Sequence, residues 1–238
     1  MYNAIGFIAR PLGILLSGIY SVIGNYGITL IIFTVIVRLC LFPLYANQIK
    51  HTAKMGNVQP KMQEIQKKYA NDKEEMNKRM MELYKEENFN PMRGCLPMLI
   101  QFPIIIGLFT LLRNPMRFME NSPEMIMAVH EGFLWINDLS HADQWLLPIL
   151  AGITTFISFT ASQAMTPTTP GNNQMQGMMK MMKYFFPVMI VWMGRTFPAG
   201  LALYWVIGNI FTVGQAKVLN VWKKKLIAQD AKDKGKKK

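Results

Sequence analysis

The stretch IIFTVIVRLCLFPL, residues 31–44, places a guanidinium cation, Arg38, inside an apolar run. Such a cation attracts anions and water, and in hydrocarbon it is costly unless hydrated or paired. Other apolar stretches carry polar residues that could join it. These are Thr34 one helical turn away, Gln101, then Thr154, Thr155, Ser158 and Ser162, and finally Asn209, Thr212 and Gln215. No Asp or Glu accompanies them, so there is no evident pair of groups for acid–base catalysis or a proton relay. His51, His130 and His141 are scattered over loops on both sides of the apolar stretches, a distribution that predicts neither a metal cluster nor a nucleophilic triad. With no G-x-x-x-x-G-K-[ST] loop, an ATP-driven pump has no phosphate cradle. The chain reads as a non-enzyme with no cofactor and no metal.

Two arrangements of Arg38 are open. The side chain can snorkel from about 10 Å inside the helix end, at 1.5 Å per residue. Alternatively it projects into a water-filled cavity, which the lack of a neutralising carboxylate favours. Each Ser, Thr, Asn or Gln taken singly is more often glue between helices; their number beside an unpaired arginine favours a polar cavity.

The elements that must position these residues are helices. Stretches without Lys, Arg, Asp or Glu recur at 14–37, 94–112, 144–179, 184–194 and 196–216 of the 238 residues. A spanning helix needs about 20 mainly apolar residues, so the fold class is an all-α polytopic membrane protein. Residues 1–24 carry Ile5, Ile8, Leu12, Leu15, Ile19 and Val22 at helical spacing, interrupted by Arg10, Pro11 and glycines. They read as an interfacial amphipathic helix, with an extra span as the alternative. The predicted sequence of elements is then span one at 25–45, a cytoplasmic helical hairpin at 46–89, span two at 90–113 and an extracytoplasmic loop at 114–143. Span three at 144–163, a cytoplasmic loop at 164–177, span four at 178–196, span five at 198–217 and a basic tail at 218–238 complete it. Gly56 and Pro60 should interrupt the chain between span one and the hairpin. Asn71-Asp72 supplies its turn, and spans four and five must form a tight hairpin.

Lys and Arg sort by side. Ten lie at 48–93, two at 164–183 and nine at 217–238, against Arg10, Arg113, Arg117 and Arg195 opposite. The positive-inside rule puts the N-terminus outside and the C-terminus in the cytoplasm, with five spans. No removable signal peptide is evident, and Cys40 and Cys95 read as free thiols. The hairpin and Lys-rich tail suit anionic lipid heads or ribosomal RNA. Without base-stacking aromatics the tail gives no sign of reading sequence, and DNA is not an expected partner. Twenty methionines, densest in MQGMMKMMKYFFPVM at 175–189, suit either ordinary packing or a surface that adapts to varied apolar partners.

Three motifs together, FTVIVRLCLFPL (33–44), NPMRGCLPMLIQFPIIIGLF (90–109) and FPAGLALYWVIGNIFTVGQ (197–215), resemble the YidC/Oxa/Alb membrane insertases, in the bacterial form without a large outer domain. The resemblance covers essentially the whole chain. It implies a bacterial cell-membrane protein whose five-helix core encloses a hydrophilic groove, open to cytoplasm and lipid, through which short polar segments of new membrane proteins pass. Carried onto this chain, it implies a substrate-contact groove of Arg38, Thr34, Gln101, Ser158, Tyr204, Trp205, Asn209 and Gln215. It implies a hydrophobic slide on spans two and four, from Met98, Phe102, Ile105 and Phe109 to Phe185, Met189 and Trp192. Implied partners are nascent membrane proteins, membrane lipids and the ribosome, through tail and cytoplasmic loops; a Sec-type translocon is a further candidate. Many family members begin with a cleaved leader, and this sequence shows none. The competing readings are a small-anion channel or transporter with Arg38 as its selectivity charge, which the lack of an inverted repeat disfavours, and a purely structural assembly factor.

Overall fold

Asn25 starts the longest helices' core packing: its side chain accepts the amide of Ile28 at 3.0 Å and opens α2 (Tyr26–Lys68). In the computed structural model, which describes residues 2–87, 96–114, 118, 123–163 and 173–236, α2 runs unbroken through Pro43 and Pro60. The interruption predicted at Gly56 and Pro60 is therefore absent. Each proline removes one helical hydrogen bond, and packing on either side holds the helix together. Ala46 buries against Leu219 of α8 (Ala199–Lys236), and Val58 and Met62 bury against Met80 and Leu83 of α3 (Lys73–Glu86). Asp72 caps α3 by accepting the amides of Glu74 and Glu75 at 3.1 and 3.0 Å.

The remaining helices are α1 (Tyr2–Ile23), α4 (Leu96–Arg113), the short α5 (Pro123–Ala128), α6 (Leu146–Gln163) and α7 (Asn173–Gly194). The described residues form no strand, only an isolated bridge between Phe133 and Ile136. The chain is an all-α polytopic membrane protein. Among the described residues, four windows are long and apolar enough to cross a bilayer: Gly6–Ile23, Tyr26–Asn47, Leu146–Gln163 and Ala199–Lys225; Gln101–Arg113 is shorter. The first of these is the segment whose sequence suggested an interfacial helix. Ala9, Gly13 and Leu16 form its buried line, while Val22 of the predicted stripe is exposed. Gly13 permits that line, since a Cβ there would sit 2.8 Å from the Phe118 carbonyl oxygen. Gly24, at φ +65°, ends α1 in the left-handed conformation that glycine adopts freely.

One apolar core joins most helices, centred on Tyr26, Leu30 and Phe33 of α2, Leu108 and Leu111 of α4 and Tyr204 of α8. The link from α7 to α8 is short, yet the two do not form the expected side-by-side hairpin. Each packs chiefly on α6, and α8 packs on α2 as well. Likewise α8 continues as helix through the segment read as a tail, burying Leu219. Cys40 is exposed; Cys95, the side chain of His51 and most of the 164–177 loop lie outside the described residues.

The segment 129–145 folds over one end of this bundle. Phe133 and Ile136 exchange backbone hydrogen bonds of 2.8 and 3.0 Å, and Leu134 between them takes φ 56°. Glu131 accepts from the Tyr20 hydroxyl and, at 2.8 Å, from the first amide of α2. Asp143 caps α6, accepting the Trp145 and Leu147 amides and the Trp135 indole N–H. Partial burial pushes this carboxyl upward, and these hydrogen bonds outweigh it, holding it below the ordinary carboxylate range. The Phe133 ring lies on Gly27, where a Cβ would meet Cδ2 at 2.1 Å and Cγ at 2.2 Å. Gly27→Ala should therefore displace the loop and lower stability by about 1–3 kcal/mol. A thermal unfolding midpoint unchanged from wild type would contradict this packing.

Candidate functional site

Helix periodicity points Thr34 and Arg38, four residues apart, to the same side of α2, toward α8. Arg38 is only 8% exposed, and its Nε is buried without a hydrogen-bond partner among the described residues. No carboxylate among those residues pairs with it. Gly208 makes room for the guanidinium, because a Cβ there would stand 2.6 Å from Nη2 and 3.3 Å from both Cζ and Nε. Tyr204, one turn earlier on α8, is buried and takes the Gln101 side-chain amide on its hydroxyl at 3.1 Å. Gln101 Oε1 and both side-chain polar atoms of Gln215 are buried without partners among the described residues. Tyr204, Gly208 and Gln215 share one face of α8 by their spacing, so the α2–α4–α8 side of that helix carries a seam of unsatisfied polar atoms around one cation.

Ser158, Trp205 and Asn209 lie elsewhere. The Trp205 indole N–H donates to Thr155 Oγ1 at 2.9 Å, Asn209 Nδ2 donates to the same oxygen at 2.9 Å, and Ser158 Oγ donates to Asn209 Oδ1 at 2.9 Å. This is a satisfied network between α6 and α8, the interhelical glue such residues commonly form. Thr34 is fully buried and donates to the Leu30 carbonyl at 2.6 Å, so its hydroxyl is spent within its own helix. The predicted groove set thus divides into an arginine face (Arg38, Gln101, Tyr204, Gln215) and a packing face (Ser158, Trp205, Asn209).

Of the slide residues, Phe102, Phe185 and Trp192 are exposed at 54%, 57% and 74%. Ile105, Phe109 and Met189 are half-buried, with Phe109 edge-on to Phe197 at 5.6 Å; the Met98 side chain lies outside the described residues. α4 packs on α1 and α8 while α7 packs on α6. The two apolar faces thus sit on helices that pack chiefly against different neighbours.

Gly208 is the residue that periodicity missed. Its signal was the spacing of four from Tyr204 in YWVIGN, which places a residue without a side chain where α8 approaches the cation. The structure also overturns the expectation that the histidines stay apart. His130 and His141 Nδ1 lie 3.1 and 2.8 Å from Asp138 Oδ2. Burial pushes the Asp138 carboxyl up, but hydrogen bonds from Ser140, His130 and His141 prevail and hold it well below the usual range. The two histidines stand eleven positions apart in sequence, and the tight turn at 133–136 folds that span back on itself.

Gly208→Ala separates the arginine's role from the fold. The methyl meets the end of a flexible side chain, so the guanidinium can move, and alanine improves helix propensity by about 1 kcal/mol. Stability should hold or rise while any activity that depends on the placement of Arg38 falls. An unaltered activity would show that the guanidinium's position is immaterial.

Comparison with known proteins places these features in a group. A family model described as 60Kd inner membrane protein matches residues 18–226. The chain is 38% identical over 215 residues to a membrane protein insertase YidC of Stutzerimonas stutzeri, covering 90% of this chain and 35% of that protein. It is 40% identical over 220 residues to the insertase of the same name from Shewanella halifaxensis, covering 92% and 37%. Against that of Wolinella succinogenes it is 37% identical over 220 residues, covering 92% and 38%. The chain spans little more than a third of the length of these curated relatives.

Proposed function

The chain belongs to the 60Kd inner membrane protein family, a multi-pass family of the bacterial inner membrane, and from that premise we propose that it inserts newly made membrane proteins, with Arg38 as the centre of a hydrated intramembrane groove. The observation that carries this reading is a buried guanidinium with no carboxylate beside it among the described residues, in a seam where Gln101 and Gln215 also keep polar atoms without partners among them. Buried polar groups are nearly always satisfied, and a lone charge in hydrocarbon is costly. Water, or polar chain passing through, supplies the missing partners.

The mechanism needs neither fuel nor covalent chemistry. A polar tail crossing dry hydrocarbon must shed its water and leave its backbone unpaired. A wet seam reaching partway across shortens that path, and Arg38 attracts acidic tails transiently. Burial of the substrate's own apolar helix against lipid then drives release. The exposed Phe102, Phe185 and Trp192 offer that helix an apolar surface. The Lys/Arg distribution supports an outside N-terminus, a cytoplasmic C-terminus and contacts with lipid heads and ribosome through hairpin and basic end.

The test is a photoreactive residue at 38, 101 or 204 in protein reconstituted with a translating membrane-protein substrate. Crosslinks to the nascent chain's polar segment are expected. Their absence, or anion flux through vesicles containing the protein alone, would replace this reading with the channel.

A further inference from the structure

The structure assigns a divalent transition-metal site to His130, Asp138 and His141, in the 129–145 segment at the bundle end bearing the first turn of α8. One donor atom from each residue lies within 4.8 Å of the others. Two imidazole nitrogens and one carboxylate oxygen are the mixed N/O set that Zn²⁺ and its neighbours accept, leaving a fourth position for water. The donor separations of 2.8 and 3.1 Å are slightly shorter than the edge of about 3.4 Å that a tetrahedron with bonds near 2.1 Å requires. Those two edges must open by a few tenths of an ångström, and the His130–His141 edge, within 4.8 Å, must close by up to about 1.4 Å, a combined shift of the two rings. The two imidazoles, 55% and 78% exposed, are free to make it.

The carboxylate is already oriented for this use. Ser140 donates to Asp138 Oδ1 through its amide at 2.7 Å and its hydroxyl at 2.6 Å, which turns Oδ2 toward both rings. Second-shell contacts of this kind hold a ligand in place before the metal arrives. His130, Ser140 and His141 line one wall of a pocket of about 370 Å³ that also reaches Arg113 and Thr196. Arg113 is drawn aside over the Phe109 ring, 5.0 Å from its centroid, so its charge does not occupy the ligand corner.

The same loop is tied to the helix that carries Tyr204. The His141 carbonyl accepts the Ala199 amide at 2.8 Å, and the Leu139 carbonyl accepts the Gly200 amide at 2.8 Å. An ion at the three side chains therefore clamps loop and α8 together at the end remote from the α2–α3 hairpin. This assignment stands apart from the insertase reading.

The test titrates chelator-treated full-length protein with Zn²⁺ and Co²⁺. One saturable equivalent is expected, with visible Co²⁺ bands of a tetrahedral N/O site and a raised unfolding temperature. His130→Gln and His141→Gln keep a side-chain N–H for Asp138, so the loop can fold, and each should weaken binding at least about tenfold. Ser140→Ala, which removes the hydroxyl that touches Asp138 Oδ1 and, at 2.9 and 3.1 Å, the Nδ1 atoms of His130 and His141, should weaken it about tenfold or more. His51→Ala should change nothing. Lack of saturable binding by wild type, or binding that survives the double His→Gln variant or vanishes with His51→Ala, would overturn the site.

Discussion

Arg38→Ala is expected to slow insertion of acidic-tailed substrates by about tenfold to a hundredfold, and Arg38→Glu by more, while Arg38→Lys retains much of the rate. Two unit charges 4 Å apart in a surface-like medium attract by about 4 kcal/mol. Water in the seam screens part of this, and about 1.4 kcal/mol is enough for each factor of ten. Lysine keeps the charge and loses the planar fork. Stability should move the other way. The cation sits in a nearly closed space with its Nε unpaired and no carboxylate beside it among the described residues, so Arg38→Met, similar in length and apolar, should hold or raise the unfolding temperature, by about 2–4 °C for a gain of ~1 kcal/mol. Loss of function together with gain of stability marks a residue kept for work and not for folding. Insertion of acidic-tailed substrates at the wild-type rate by folded Arg38→Ala would remove the charge from the mechanism.

The second large effect is expected at Leu83. Four side chains, Val58, Met62, Met80 and Leu83, form the buried core between α3 and the end of α2. The surface pair Lys61–Glu87 at 2.6 Å adds little, as exposed ion pairs do. A carboxylate in that core must be desolvated or must push the helices apart, and where four side chains are buried among the described residues separation is the cheaper course. Leu83→Asp should therefore release α3, seen as loss of amide-exchange protection there. Insertion should fall several-fold if the hairpin recruits substrate. The wet seam should persist, because Arg38 lies twenty residues up α2 and packs against α8. Thiol labelling at Arg38→Cys, with Cys40 and Cys95 replaced by serine, measures that directly. Unimpaired insertion with α3 released would exclude recruitment by the hairpin. Loss of labelling at position 38 would show that hairpin and seam are one unit.

The long helices, the cap at Asp72 and the lone cation were legible because each depends on residues close in sequence. Apolar runs set helix length, Asp72 reaches amides two and three residues on, and Arg38 is conspicuous against its own neighbours. The continuity of α2 through Pro60 was not legible, since proline's local cost is visible in sequence while the packing that offsets it comes from Leu219 and Leu83, far along the chain. The same holds for α1, where Gly13 reads locally as weakness and proves to be the point where Leu111 of α4 and the Phe118 backbone approach.

By itself, the order of residues determined that this chain is helical, crosses a membrane several times and carries one guanidinium without an acid to neutralise it. Only the tertiary structure decided which polar groups share that guanidinium's company. Helical spacing separates Tyr204 and Gln215 from Trp205 and Asn209 on α8, but it does not decide which face turns to Arg38 and which finds hydrogen-bond partners. The neighbours do so: α6 takes up the hydrogen bonds of Trp205 and Asn209, while α2 and α4 leave Gln215 and Arg38 with bonds unmade. Contacts across a hundred residues also bring Gly208 against Arg38, and a short turn closes His130 and His141 on Asp138. Satisfaction of a polar atom is a property of the packed neighbourhood, which no local pattern encodes.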